Sequence, residues 1–216
     1  MIVISFRHAK NTAHDIQSSI SSLPFGESEN TRLGGMKNQT AKEESLSALL
    51  ALKTITESLN DTFDMTVLRE SNGKPYFANS SMKFSLSHSC GLSVAVLSDT
   101  PIGIDIEHID KSRKIYSLAD KYFSAEEIDL LNKSLSPYED FYRIWTKKEA
   151  VSKINGEGIS MLIAAKKEQI KIDFFKQYKV DFNNKQYILS ICLDKFKNDE
   201  IIFLPYKELD VYGIQN

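Results

Sequence analysis

The strongest constraint on this chain is a pair of acids set inside an apolar stretch, Asp105 and Glu107 in Gly103-Ile-Asp-Ile-Glu107. Ile102, Ile104, Ile106 and Ile109 surround them, so the segment reads as a β-strand carrying acid among β-branched residues. Side chains two apart on a strand point the same way, with Cα atoms about 6.5 Å apart. Two like charges so placed repel, and burying either unpaired is costly. A hard divalent cation, Mg²⁺ above all, resolves that conflict through oxygen ligands and keeps positions open for substrate phosphate. A third acid, Glu149 in Trp145-Thr-Lys-Lys-Glu-Ala150, completes the set. The pattern points to phosphate chemistry.

Length allows one large domain or two small ones, since 216 residues give ample core. A net charge of −2 supplies no bulk field for nucleic acid or an anionic membrane. The start, Met1-Ile-Val-Ile-Ser-Phe-Arg-His8, lacks the basic opening, apolar stretch and cleavage site of a signal peptide. No apolar run of about 18 residues exists to span a bilayer. Cys90 and Cys192 match no zinc or redox spacing and read as ordinary thiols of a reducing compartment. A cytoplasmic protein is the expectation.

Residues 2–8 alternate as a first strand, whereas residues 9–35 are polar, with Pro24, Gly26, Gly34 and Gly35 breaking any long element. A helix is predicted from about Thr40 to Leu59, with Leu46, Leu49, Leu50, Lys53 and Ile55 near a 3.6-residue spacing. After the turn Ser71-Asn-Gly-Lys-Pro75, strands Lys83–His88 and Leu92–Ser98 form a hairpin through residues 89–91. The acidic strand 102–109 follows. Ser124-Ala-Glu-Glu127 has the spacing of a capping box, and Pro137 opens a helix to about Ile154, stopped by Asn155-Gly156. Residues 168–206 return to strand patterns. The class is α+β, in two halves of residues 1–100 and 101–216, the second carrying the metal-binding acids.

On the helix from Pro137, Trp145, Lys148, Glu149, Ser152 and Lys153 share a face. Glu149 and Lys153 one turn apart make a surface ion pair on the bland reading, worth about 0.3–0.5 kcal/mol. The only Trp of the chain lies on the same face and argues that it is packed. A Ser-His hydrolase is rejected at Ser87-His88: no Gly-x-Ser-x-Gly elbow exists and neighbours on a strand face opposite ways. His88 alone serves equally as a structural His or a phosphate contact, and Lys74 is a turn residue or a phosphate cation. Lys111, Arg113, Lys114 and Lys121, among Ile115, Tyr116, Leu118, Tyr122 and Phe123, form an amphipathic helix with a solvated basic face, or a dock for an acidic helical partner.

In order, Gly73-Lys-Pro-Tyr76, Phe84-Ser-Leu-Ser-His-Ser89, Gly103-Ile-Asp-Ile-Glu107, Tyr122-Phe-Ser-Ala-Glu126, Trp145-Thr-Lys-Lys-Glu-Ala-Val-Ser-Lys153 and Gly156-Glu-Gly158 resemble the 4′-phosphopantetheinyl transferases of the surfactin-synthetase-activating type. Each motif alone is weak, but together in this order they are specific. The resemblance implies a pseudo-dimeric fold of two similar α+β halves, monomeric, with coenzyme A between them. It implies that Asp105, Glu107 and Glu149 bind Mg²⁺, that Lys153 contacts the coenzyme A pyrophosphate, and that Lys74, Ser87 and His88 contact its nucleotide and phosphate end. It further implies Mg-dependent transfer of 4′-phosphopantetheine from coenzyme A to a serine of an acyl or peptidyl carrier protein, with release of 3′,5′-ADP. Glu149 and Lys153 are then the catalytic candidates, residues 111–123 the carrier dock, and secondary-metabolite synthases the expected clients. Arg32, Lys37 and Lys42 are candidate phosphate residues of the first half, although Glu43-Glu44 interrupts the basic pattern. The competing readings are a metal-dependent phosphohydrolase or nuclease, and a non-catalytic coenzyme A or carrier-binding protein whose acids only pair with Lys147, Lys148 and Lys153.

Overall fold

A computed structural model describes residues 1–9, 16–59, 64–156, 158, 174–194, 200–207 and 209–213. The class is α+β. By contacts the chain divides into two units, Met1–Ile102 with Lys197–Lys207, and Gly103–Phe196 with Glu208–Asn216.

The first unit holds β1 (Ile2–His8), α1 (Ile16–Ser21), α2 (Glu27–Gly35), α3 (Gln39–Ser58), β2 (Val67–Arg69), β3 (Pro75–Phe77), β4 (Lys83–Ser89) and β5 (Leu92–Ser98). The second begins at β6 (Ile102–His108) and continues with α4 (Ile115–Tyr122), α5 (Ala125–Lys133), α6 (Pro137–Asn155), β7 (Phe174–Phe182) and β8 (Lys185–Leu193). Then β9 (Ile201–Phe203) returns to the first unit, and β10 (Leu209–Gly213) to the second.

In the first unit the sheet order is β4-β5-β1-β9, with β5 antiparallel to both neighbours and β9 parallel to β1. Cys90 (φ 48°) and Gly91 (φ 88°) turn the β4–β5 hairpin, both in the left-handed region that suits a two-residue turn between right-twisted strands. The α3 helix lies on this sheet, burying Leu46, Leu49, Leu52 and Ile55. Its start is held by Asn38, whose side chain accepts the Ala41 N–H at 3.0 Å. The stretch read as broken polar chain contains two short helices, α1 and α2. What sustains α2 is tertiary: buried Glu29 accepts from Arg32 Nη2 at 2.6 Å and from Arg69 Nη2 of β2 at 2.9 Å. Burial opposes ionisation of Glu29, but the hydrogen bonds from Arg69 and Arg32 outweigh it and hold the carboxyl below its usual range.

In the second unit the sheet order is β10-β7-β8-β6, and α6 packs on β8. The predicted capping box is present: Ser124 accepts the Glu127 N–H, and the Glu127 carboxylate accepts the Ser124 N–H at 2.7 Å. Phe123, Phe141, Tyr142 and Trp145 form the aromatic core under α4, α5 and α6. Gly156, at φ 73°, caps α6 where the sequence places its stop. Glu157 and residues 168–173, part of the predicted motif and strand region, lie outside the described residues.

Candidate functional site

Gly103 sets how closely β6 approaches α6. A Cβ at this position would lie 1.8 Å from the Ala150 carbonyl oxygen and 2.9 Å from its carbonyl carbon. Only a residue without a side chain lets the strand rest on the helix backbone there. Asp105 and Glu107 follow on the same face at two-residue steps, while Glu149 precedes Ala150 and Lys153 lies one turn beyond it. The close approach thus gathers the four residues within the second unit.

Lys153 Nζ donates to Asp105 Oδ1 at 2.8 Å, with the Lys153 side chain 29% exposed and that of Asp105 7% exposed. Arg113 Nη1 lies 3.9 Å from Glu107 Oε1. Its guanidinium sits 5.1 Å from the Trp145 ring centroid and 5.8 Å from that of Tyr142. The sequence assigned Arg113 to a solvated basic face; the structure lays it on the aromatic core beside an acid. No local signal marks this, because the rings come from α6.

Glu149 is held above the usual carboxyl range, first by burial and then by the charges of Asp105 and Glu107, with Lys153 and Arg113 pulling the other way. A folded-state pKa above the ordinary value near 4.5 means that the folded chain keeps this proton longer than the unfolded chain. Its contribution to stability therefore falls as pH rises from that value through the folded pKa. In chelator, thermal melts from pH 4.5 to 8 are expected to show Glu149→Gln gaining on the parent as pH rises across this window. Parallel curves for the two proteins would contradict the electrostatic account.

Lys148 does not join the acids. It is buried and pairs with Glu127 at 2.9 Å, tying α6 to the capping box of α5. Lys147 lies over Phe175, 4.5 Å from the ring centroid. Of the lysines expected to pair with the acids in a non-catalytic protein, these two are thus engaged elsewhere.

Among the described residues, no group of three or more His, Cys, Asp or Glu stands close enough as placed to hold a metal ion. The donor chemistry nevertheless fits one. The charges of Asp105 and Glu107 both act on Glu149, and three carboxylates from two elements make the hard, oxygen-only kind of set that Mg²⁺ takes.

The remaining candidates belong to the first unit. Ser87 is buried on β4, and Lys74 follows the turn that Arg69 Nη1 braces through the Gly73 carbonyl at 2.8 Å. Burial lowers the Lys74 pKa, Glu70 opposes that, and Lys83 adds to it. His88 Nδ1 stands 3.2 Å from Glu44 Oε2, while Glu44 Oε1 accepts the Gly91 N–H at 3.0 Å. Glu44, which interrupts the expected basic pattern, is thus the partner of His88, a pairing invisible at a separation of 44 positions. Arg32 is committed to Glu29, and Lys42 Nζ donates to the Gly34 carbonyl at 3.0 Å. On α4, Ile115, Ala119 and Tyr122 face inward and Tyr116 and Lys121 are exposed, as are Lys111 and Lys114 before the helix.

The 4'-phosphopantetheinyl transferase superfamily model matches residues 101–205. The 4'-phosphopantetheinyl transferase Sfp of Bacillus subtilis (strain 168) is 30% identical over 167 residues, 69% of this chain and 72% of that protein. HetI of Nostoc sp., also named a 4'-phosphopantetheinyl transferase, is 39% identical over 110 residues, 48% of this chain and 44% of its own length. The 4'-phosphopantetheinyl transferase psf-1 of Bacillus pumilus is 42% identical over 94 residues, 42% of this chain and 40% of its own. The chain thus spans less than half the length of the latter two relatives.

Proposed function

The chain belongs to the 4′-phosphopantetheinyl transferase superfamily, and on that premise we propose that it transfers 4′-phosphopantetheine from coenzyme A to a carrier-protein serine. The observation that carries the reading is the gathering of Asp105, Glu107, Glu149 and Lys153 where β6 meets α6. In this reading Asp105, Glu107 and Glu149 would hold Mg²⁺, which when bound would offset charge growing on the 5′-phosphate of the 3′,5′-ADP leaving group.

The chain's own residues do the rest. Lys153 turns its ammonium from Asp105 to a diphosphate oxygen. Glu149, which comes from a different element than the strand acids, accepts the serine hydroxyl proton, directly or through a water. The serine oxygen bonds to the β-phosphorus, the bond from that phosphorus to the bridging oxygen breaks, and 3′,5′-ADP leaves. In the first unit Lys74, Ser87 and His88 take the nucleotide and phosphate end, with Glu44 orienting the His88 ring through Nδ1. The exposed Lys111, Lys114, Tyr116 and Lys121 suit an acidic carrier helix.

Incubation with coenzyme A, Mg²⁺ and a small set of apo-carriers is the test. A phosphopantetheine mass gain on a carrier serine is expected. Release of 3′,5′-ADP with no carrier modified would favour a phosphohydrolase instead.

A further inference from the structure

A buried polar chain ties α6 to the strands it packs on. Thr146 and Ser190 are fully buried, and Gln177 is nearly so. Gln177 and Ser190 face each other across β7 and β8, while Thr146 comes from α6. Gln177 Nε2 donates to Ser190 Oγ at 2.9 Å and to the Arg143 carbonyl at 2.7 Å. The Ser190 and Thr146 hydroxyl oxygens stand 2.7 Å apart, and Thr146 Oγ1 donates to the Tyr142 carbonyl at 2.7 Å. A side-chain amide has two N–H groups and a hydroxyl one O–H, which sets the direction of the chain. The Thr146 proton goes to Tyr142, so Ser190 donates to Thr146 and accepts from Gln177. Each proton is used once.

Stability alone does not account for this chain. Replacing all partners of a buried hydrogen-bonded set by apolar groups of the same shape is nearly neutral. What the set supplies is direction. Apolar contact is non-directional, so the packed face of α6 tolerates a shift along the helix axis. Gly103 brings β6 against Ala150 but has no side chain to interlock with the helix. A hydrogen bond, by contrast, holds its atoms within about half an ångström and near a line. The strands pass the constraint on. In the sheet β8 lies beside β6, and the Ile109 N–H just after β6 donates to the Gln186 carbonyl of β8 at 2.8 Å. Along the helix, Glu149 and Lys153 stand three and seven residues beyond Thr146, about one and two turns.

We propose that Thr146 is a positioning residue: through Ser190 and Gln177 it fixes where α6 rests along its axis, and so sets Glu149 and Lys153 against Asp105. The proposal rests on the reading of those three residues as the transfer site, and it adds what holds them in place.

Variants of the full chain separate placement from stability. Thr146→Val with Ser190→Ala and Gln177→Leu removes the whole chain and leaves no buried hydroxyl or amide unpaired. This triple variant is expected to melt near the parent. Its kcat for carrier modification with coenzyme A and Mg²⁺ is expected to fall about a hundredfold, the cost of a small misplacement of reacting groups. Its KM for coenzyme A should change by a smaller factor, because Lys74, Ser87 and His88 are untouched. Crystal structures of parent and triple variant are expected to differ in α6, with Lys153 Nζ out of hydrogen-bond reach of Asp105 in the variant. Thr146→Ser is the converse: it keeps the hydroxyl and loses a buried methyl, so it should melt lower yet keep a kcat close to the parent's. Should the triple variant not fold, Thr146→Val takes its place in both measurements. A parental kcat in the variant without the chain, or α6 in its parental place there, overturns the proposal. So does a Thr146→Ser kcat as low as that of Thr146→Val. A parent that modifies no carrier removes the transfer reading, and the pair of crystal structures then decides the positioning role by itself.

Discussion

Gly103→Ala is expected to destabilise the second unit by at least about 3 kcal/mol, at the upper end of what overpacking costs. The added methyl would stand 1.8 Å from the Ala150 carbonyl oxygen and 3.1 Å from Ile154 Cγ1. The first of these neighbours is helix backbone in the interior of α6, so no rotamer change relieves it. Either β6 moves away from the helix or the helix bends, and both separate the strand acids from Glu149 and Lys153. Urea unfolding of the purified variant measures the effect, with soluble yield as a second readout. A midpoint indistinguishable from that of the parent would show that the strand and helix are not as tightly apposed as described.

Asp105→Ala is expected to lower carrier modification by a hundred- to thousandfold or more, about what loss of one preorganised charge-stabilising group costs, while leaving the chain folded. The second half of that expectation follows from the environment of Lys153. Its side chain is 29% exposed, so losing Asp105 returns an ammonium to water and does not strand a buried charge. Holo-carrier formation by mass, read beside a thermal melt, separates the two effects. Near-parental modification by the variant would remove Asp105 from the cation ligands.

Sequence patterns within one element were the legible part. The strands at 2–8 and 102–108, the hairpin at Cys90-Gly91, the apolar stripe of α3, the capping box at Ser124 and the Gly156 stop all depend on neighbours a few positions apart, and all stand in the structure. Partners far apart in sequence were not legible. Glu29 gains its second guanidinium from Arg69, and without that pairing α2 reads as broken polar chain. Lys148 reads as a partner for the acids because its spacing puts it on the helix face of Glu149, yet Glu127 from the capping box claims it. Arg113 follows the same rule: its charge is plain in the sequence, but the rings beneath it come from α6. For the site, spacing announced that Asp105 and Glu107 share a face. That Lys153 reaches across to Asp105, and that the glycine before the acids is what permits it, needed three dimensions.

The parallel pairing of β9 with β1 has a consequence for how the protein is made. On the ribosome, Ile2, Val3 and Ile4 emerge before either of their partner strands, and β5 covers one side of β1 when the first unit's hairpin is complete. The other side waits for Ile201–Phe203, which are translated long after β1 and β5. Until then the nascent chain presents an open, apolar strand edge, the kind of template on which chains stick to one another. Slower growth temperatures or a holdase chaperone during expression are therefore the conditions under which this protein should give its best yield.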